Sequence, residues 1–334
     1  MDITQPRSEP PDSQPSLCVV IDTEEEFDWY APFDRQAVAV THMAAVAPVQ
    51  SLFERHGITP TYVVDYAIAS QEAGVALLKA FQDDKKALIG THLHPWISPP
   101  LTEALCLSHS YPGNLPKKLE QEKLSRLTET IGQAFGQIPT IYKAGRYGFG
   151  PNSAEILTSL GYLVDLSPAP GFDFRADGGP NYLDESNHPR FLDETSNLFC
   201  LPDTGAIIGA LHRFGPTLHP LLLNPRLAAL RLPGIFSRLR LLERIRLSPE
   251  GFTLAELKRL TRFLLAGGIR SFHFSFHSPS WQPGHTPYVR NQSDLDRFMA
   301  ILEGYFDFFL RELGGRSQTP LEIRDRFLNT PFPG

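Results

Sequence analysis

The stretch LCVVIDTEEEFDW, residues 17–29, decides how the chain is read. Its first five residues are a continuous apolar run, as a strand buried on both faces of a parallel sheet requires. The run ends on Asp22, and Glu24 follows two residues later. On an extended backbone residues two apart point to the same side, so these carboxylates share a face. Taken alone the pair reads two ways: one group to hold a divalent cation and one to act as base, or a solvated acidic run continued by Glu25 and Glu26.

The pattern repeats outward from this strand. TPTYVV (59–64), ALIGT (87–91), TIYKAG (140–145), YLVDL (162–166), GAIIGAL (205–211) and SFHFSFH (271–277) are further strand candidates. Between them lie helical patterns over about 41–56, 71–82, 117–135, 151–160, 252–266 and 292–313, and a loop-rich segment spans 168–203. Strands alternating with helices predict an α/β fold with a parallel sheet, and six or seven such units suggest a barrel, complete or incomplete, with a doubly wound open sheet as the alternative. The chemistry-bearing residues fall at strand ends. Asp22 follows LCVVI, His92 and His94 follow ALIG, Arg146 follows TIYKAG, Asp165 ends YLV, and His277 ends SFHFSF. In both folds the C-terminal ends of parallel strands line the ligand site, so these residues are expected to converge. His92 and His94 suit two imidazoles on one metal, although His-x-His alone also occurs in ordinary loops. In SFHFSFH, Phe272, Phe274 and Phe276 take one face and His273, Ser275 and His277 the other, with His273 expected in the interior. Trp281 and Tyr288 offer a wall for a sugar ring. His42, His56, His109 and His188 read as surface residues.

The 334 residues, 42% hydrophobic and 20% charged, suit a soluble globular protein. A formal net charge of -6 argues against non-specific nucleic-acid binding. Three widely spaced cysteines make no disulfide framework, which favours a reducing, cytoplasmic setting. Residues 1–16 are polar and proline-rich and read as a disordered leader. The expected organisation is a single domain over 17–315, a Leu/Arg-rich helical insertion at about 212–250, and a tail over 316–334. Within 221–247, Arg226, Arg231, Arg238, Arg240, Arg244 and Arg246 face only Glu243. That segment reads either as peripheral membrane contact at the inner membrane or as a surface helix or lid.

The ordered motifs IDTEEEFDW, GTHLHPW, KAGRYGFG, YLVDLSP, FSFHSPSW and PGHTPYV resemble the polysaccharide deacetylases with NodB homology, nearest the WalW-like branch, over about Leu17 to Gly314. The resemblance implies an α/β fold, a distorted, complete or incomplete (β/α)7 barrel, that removes acetyl groups from N-acetylated sugars with a divalent metal, zinc first and cobalt, nickel or manganese as alternatives. It implies Asp22 as catalytic base, and Glu24, His92 and His94 as metal ligands. Arg146 would orient Asp22, a backbone N–H near Phe149 would hold the oxyanion, and His277 would be the general acid. Trp96, Tyr147, Phe149, Asp165 and Trp281 are the expected substrate contacts. The first motif departs from the family by having Asp-Thr-Glu in place of adjacent aspartates. The second departs by spacing its histidines two apart, where the family has four. Cleavage of another C–N bond, as in a deformylase or cyclic amidase, and non-catalytic glycan binding are the competing readings.

Overall fold

The computed structural model describes residues 9–10, 13–192, 198–222 and 232–329. The strands are β1 (Ser16–Thr23), β2 (Thr61–Val64), β3 (Leu88–Leu93), β4 (Ile141–Ala144), β5 (Val164–Asp165), β6 (Arg190–Phe191), β7 (Phe199–Cys200), β8 (Gly205–Ile208), β9 (Glu243–Arg246), β10 (Ser271–His277) and β11 (Arg316–Ser317). The helices are α1 (Ala47–Arg55), α2 (Tyr66–Ala69), α3 (Glu72–Asp83), α4 (Lys117–Phe135), α5 (Ser153–Ser159), α6 (Gly215–Leu222), α7 (Leu232–Arg238), α8 (Leu254–Ala266), α9 (Gln292–Phe306) and α10 (Pro320–Asn329).

Parallel pairing runs β10-β1-β2-β3-β4-β5-β7, and the antiparallel β6 flanks β7. This is a curled seven-stranded half-barrel with helices packed outside, as the sequence predicts. Strand β7 was not expected, because two residues inside a loop-rich segment carry no readable period. Between β7 and β10 the curl is bridged by single residues. Thr204 N–H donates to the His273 carbonyl at 3.3 Å, and Ser275 N–H donates to the Leu247 carbonyl at 3.1 Å.

All of β1 is buried. Its alternation sorts the core into two compartments. Leu17, Val19 and Ile21 face outward with Phe272, Phe274 and Phe276 of β10 and the helix residues Tyr305, Phe306 and Phe309. Cys18 and Val20 face inward with Val63, Ile141, Val164 and Phe199. The inward cluster also contains Ile323 and Phe327 of α10. The segment expected as a tail therefore plugs the barrel, and β11 pairs with β1 at Ser16 and Leu17. Nor is the expected leader wholly loose. Glu9 is buried and accepts from Ser271 Oγ and from Arg326.

The Leu/Arg-rich stretch is only partly helical. Residues 243–246 form β9, antiparallel to β8, and Arg226 and Arg231 lie outside the described residues. No helix among the described residues is long and apolar enough to cross a membrane.

Phe327 is almost fully buried against Phe199, with ring centroids 5.1 Å apart. Phe327→Ala should lower the unfolding free energy by about 3 kcal/mol. A urea titration should show this as an earlier midpoint, whereas a dispensable tail would leave the midpoint unchanged.

Candidate active site

The strand register brings the chemistry together. Asp22 on β1 lies opposite His277 on β10, and His92 on β3 lies opposite Lys143 on β4. These ends open into a cavity of about 620 Å³, lined by Asp22, Glu24, His92, His94 and His277 and walled by aromatic side chains.

Glu24, His92 and His94 converge as expected, with ligand atoms within 4.8 Å of one another. Glu24 Oε2 is 3.7 Å from His92 Nε2 and 3.4 Å from His94 Nε2. Each ring is fixed through its other nitrogen. His92 Nδ1–H donates to the Lys143 carbonyl at 2.9 Å, and His94 Nδ1–H donates to Glu25 Oε2 at 2.8 Å. This outer bonding fixes the tautomer that leaves Nε2 with a lone pair for a cation. Burial lowers His92 to about 3 and His94 to about 4, so both are neutral near pH 7, the form a metal needs. Burial, with Glu25 and Asp22 nearby, pushes the Glu24 carboxyl well above its ordinary range. Glu24 Oε1 is buried without a hydrogen-bond partner. Two neutral imidazoles and a buried, unsatisfied carboxyl oxygen suit a divalent cation such as zinc.

Glu25, which read as part of an acidic run, is the hub behind this cluster. Besides His94 it accepts from Trp96 Nε1–H at 2.8 Å, and its own N–H donates to Asp65 Oδ2 at 2.8 Å. Asp65 in turn caps α2 by accepting from Ile68 N–H at 2.7 Å. Trp96 stacks on His94, with centroids 4.2 Å apart, so it supports a ligand as well as lining the cavity.

Arg146 does not pair with Asp22. Lys143 does, through contacts of 2.8 and 2.9 Å to the two carboxylate oxygens, and it is fully buried. Burial would raise the Asp22 carboxyl, but Lys143, aided by His92 and His277, outweighs it and holds the group well below the usual carboxylate range. Arg146 and Tyr147 have φ of 52° and 60°, in the left-handed region that non-glycine residues seldom occupy. That turn carries the guanidinium away from Asp22. It instead donates to Ser110 Oγ at 2.6 Å and Asp177 Oδ2 at 2.8 Å, over the Tyr111 ring.

His277 lies across the site, its Nε2 3.9 Å from Asp22 Oδ2. Its Nδ1–H donates to Glu250 Oε2 at 2.7 Å, and its backbone N–H donates to Glu250 Oε1 at 3.1 Å. Glu250, missed in the sequence, also accepts from Ser280 Oγ at 2.5 Å.

Three expected substrate contacts are placed elsewhere. Phe149 N–H is spent on the Tyr147 carbonyl at 2.9 Å, so it is not a free oxyanion donor, and its side chain packs on the core. Asp165 is fully buried beneath the site and accepts from Ser167 Oγ at 2.5 Å. Trp281 is a core residue whose Nε1–H donates to the His42 carbonyl at 2.7 Å. The aromatic walls come instead from Phe27, Trp29, Phe33, Tyr147, Phe174 and Tyr288. Nor is His42 a surface residue. It is buried, 2.8 Å from Ser278 Oγ, and that oxygen accepts the Glu24 N–H at 3.2 Å.

No protein-family model matches the chain, and no curated protein matches it in sequence. Among solved structures, it is similar to a protein of Mycobacterium smegmatis assigned as a polysaccharide deacetylase. The TM-score is 0.52 at 15% identity, covering 98% of this chain and 96% of that one. A protein of Pseudomonas aeruginosa PAO1 with the same assignment gives 0.54 at 14%, covering 95% and 92%. Puue allantoinase gives 0.57 at 12%, covering 100% and 99%. The chain thus has the fold of the polysaccharide deacetylases. An allantoinase shares it, so the reaction has to be argued from the site.

Burial raises the Asp165 carboxyl to about 7, the Ser167 bonds opposing, and its Oδ2 has no partner. A raised folded value means the folded state binds the proton more tightly, so this group costs stability increasingly as pH rises from about 4 to 7. Asp165→Asn should therefore raise the thermal midpoint at pH 8 and change it little at pH 4. A gain independent of pH would assign the effect to packing.

Proposed function

We propose that the protein is a metal-dependent hydrolase that removes an acetyl group from an N-acetylated sugar of a polysaccharide or glycan precursor. The observation that carries this reading is the Glu24, His92 and His94 cluster flanked by two groups that each have a partner of their own, Asp22 on Lys143 and His277 on Glu250. A binding module needs neither an ionised base nor an oriented imidazole beside such a cluster.

Glu24, His92 and His94 would hold the cation. When bound, it lowers the pKa of water toward neutrality and polarises a carbonyl. Asp22, kept ionised by Lys143, takes the proton of the attacking water. His277 gives a proton to the leaving amine from Nε2, because Nδ1–H is committed to Glu250. Glu250 thus fixes the tautomer and steadies the imidazolium. The aromatic walls stack on the sugar faces and limit water around the acyl group.

His92→Ala and His94→Ala should each weaken metal binding by about tenfold or more, read as metal per protein after dialysis. Unchanged metal in both would remove the site. Lys143→Met should keep its metal but lose acetate release by roughly 100-fold, because Asp22 is then left unpaired. Full activity in that variant would exclude Asp22 as base.

Glu250→Gln should lower kcat by roughly 10- to 100-fold with little change in KM, since it acts through His277. A change confined to KM would place Glu250 among the substrate contacts.

The full-length match to Puue allantoinase, with the aromatic-walled cavity, favours a second reading, opening of a cyclic amide. A single product heavier by one water, without acetate or formate, selects it.

A further inference from the structure

Hairpin β8–β9 stands outside the barrel sheet, yet one of its faces is turned to the site. Arg244 and Arg246 are two apart on β9 and so share a face. Arg246 is engaged. It donates to the Tyr147 hydroxyl and lies 3.6 Å from Glu250 Oε2. Arg244 makes neither a hydrogen bond nor an ion pair among the described residues. Its guanidinium lies over the Phe172 ring, 4.4 Å from the centroid. The carboxylates that could neutralise it are taken. Asp173 is clasped by Arg175 at 2.9 and 2.8 Å, and Glu243 is bound to Arg259. Burial lowers the Arg244 guanidinium from its ordinary value, with only the charge of Asp173 acting against it.

Arg244 opens into a second cavity of about 240 Å³, whose walls also carry His219, Ser237, Glu243 and Glu256, the last engaged through Oε2 by the Thr253 N–H and hydroxyl at 2.7 Å. Gly251 and Phe252 line both this cavity and the larger one, so the two adjoin. A row of near-parallel rings connects them. Tyr147 stacks on Phe174 at 5.4 Å, and Phe174 on Phe172 at 6.1 Å. At one end Lys143, the partner of Asp22, lies 5.3 Å from the Tyr147 ring, and at the other end sits Arg244.

An arginine with no acceptor, partly withdrawn from water at the end of an aromatic row, is matched to an oxyanion that accepts several N–H bonds at once. A phosphate offers three such oxygens where a carboxylate offers two, and a pyrophosphate carries them farther from the sugar ring.

Resting on the sugar-hydrolase reading, we infer that the substrate is a sugar bearing a phosphate or pyrophosphate, bound in the second cavity by Arg244. The sugar lies along the Tyr147–Phe174–Phe172 row. Nucleotide-linked and polyprenyl-linked sugars share this chemistry.

Calorimetric titration of the full-length protein with N-acetylglucosamine 1-phosphate and with N-acetylglucosamine tests the inference. The phosphorylated sugar should bind about tenfold more tightly. That preference should vanish in Arg244→Gln and partly survive in Arg244→Lys. Ser237→Asp, which adds a third carboxylate to the same cavity, should also abolish it. Equal affinities in the wild type overturn the inference. So does a preference that persists in Arg244→Gln and Ser237→Asp, which would put the phosphate on the metal. Uridine diphosphate N-acetylglucosamine and polyprenyl-pyrophosphate N-acetylglucosamine in detergent micelles separate the sources. Tighter binding of either supports the inference and names the source, and binding of neither better than the free sugar overturns it. Acetate release from a neutral N-acetylated oligosaccharide is scored separately. Release without a phosphate preference removes this inference alone. Phosphate preference without acetate from any of these sugars removes the hydrolase reading and leaves the anion site.

Discussion

The ion pair between Lys143 and Asp22 links β4 to β1 across the half-barrel, and the rest of the site is arranged around it. A fully buried ammonium is costly unless its partner is charged and close. Here both carboxylate oxygens lie within 2.9 Å of Nζ. The pair therefore requires β1 and β4, with β2 and β3 between them, to keep their relative positions. The same lysine fixes a metal-facing residue, because its carbonyl accepts the His92 Nδ1–H. One residue thus supplies charge to the base through its side chain and orientation to a ligand through its backbone. Arg146 is left free to serve the cavity wall.

The half-barrel architecture and four of the main site groups were legible in the sequence, because burial leaves a plain signature. Asp22, His92 and His277 are polar residues terminating apolar strands, and His94 follows directly. Parallel topology places such ends together whatever their separation along the chain. Lys143 was equally visible as a charge inside a four-residue buried strand. The likeness of RYGFG to the deacetylase pattern points to Arg146 instead, and only the backbone torsions at 146 and 147 show why that side chain turns away. Glu250 left no comparable trace and Arg244 read only as one of an arginine-rich run, since their positions depend on where hairpin β8–β9 folds back. Trp281 and Trp29 could not be ranked from sequence, because a tryptophan in a loop reads the same whether it enters the core or the cavity.

The departures from the family pattern are absorbed locally. Spacing the histidines two apart puts His92 at the end of β3 and His94 just beyond it, where Glu25 and Trp96 hold the second ring. The acidic run is thereby divided by role. Glu24 faces the cavity, Glu25 supports His94 from behind, and Glu26 accepts from Thr41 Oγ1 and the His42 N–H. Three consecutive glutamates that suggest a solvated loop are each drawn into a different layer of the same construction.

Strand β1 precedes β2 closely, yet its partner on the other side arrives late. β10 lies about 250 residues downstream, and β11 and α10, which close the base of the barrel, follow it. Pairings so distant in sequence carry a large loop-closure entropy and slow folding. During synthesis LCVVI must stay unpaired on the β10 side, an apolar edge open to misassociation. The architecture that assembles the site thus leaves one edge of its foundation strand exposed until β10 is made.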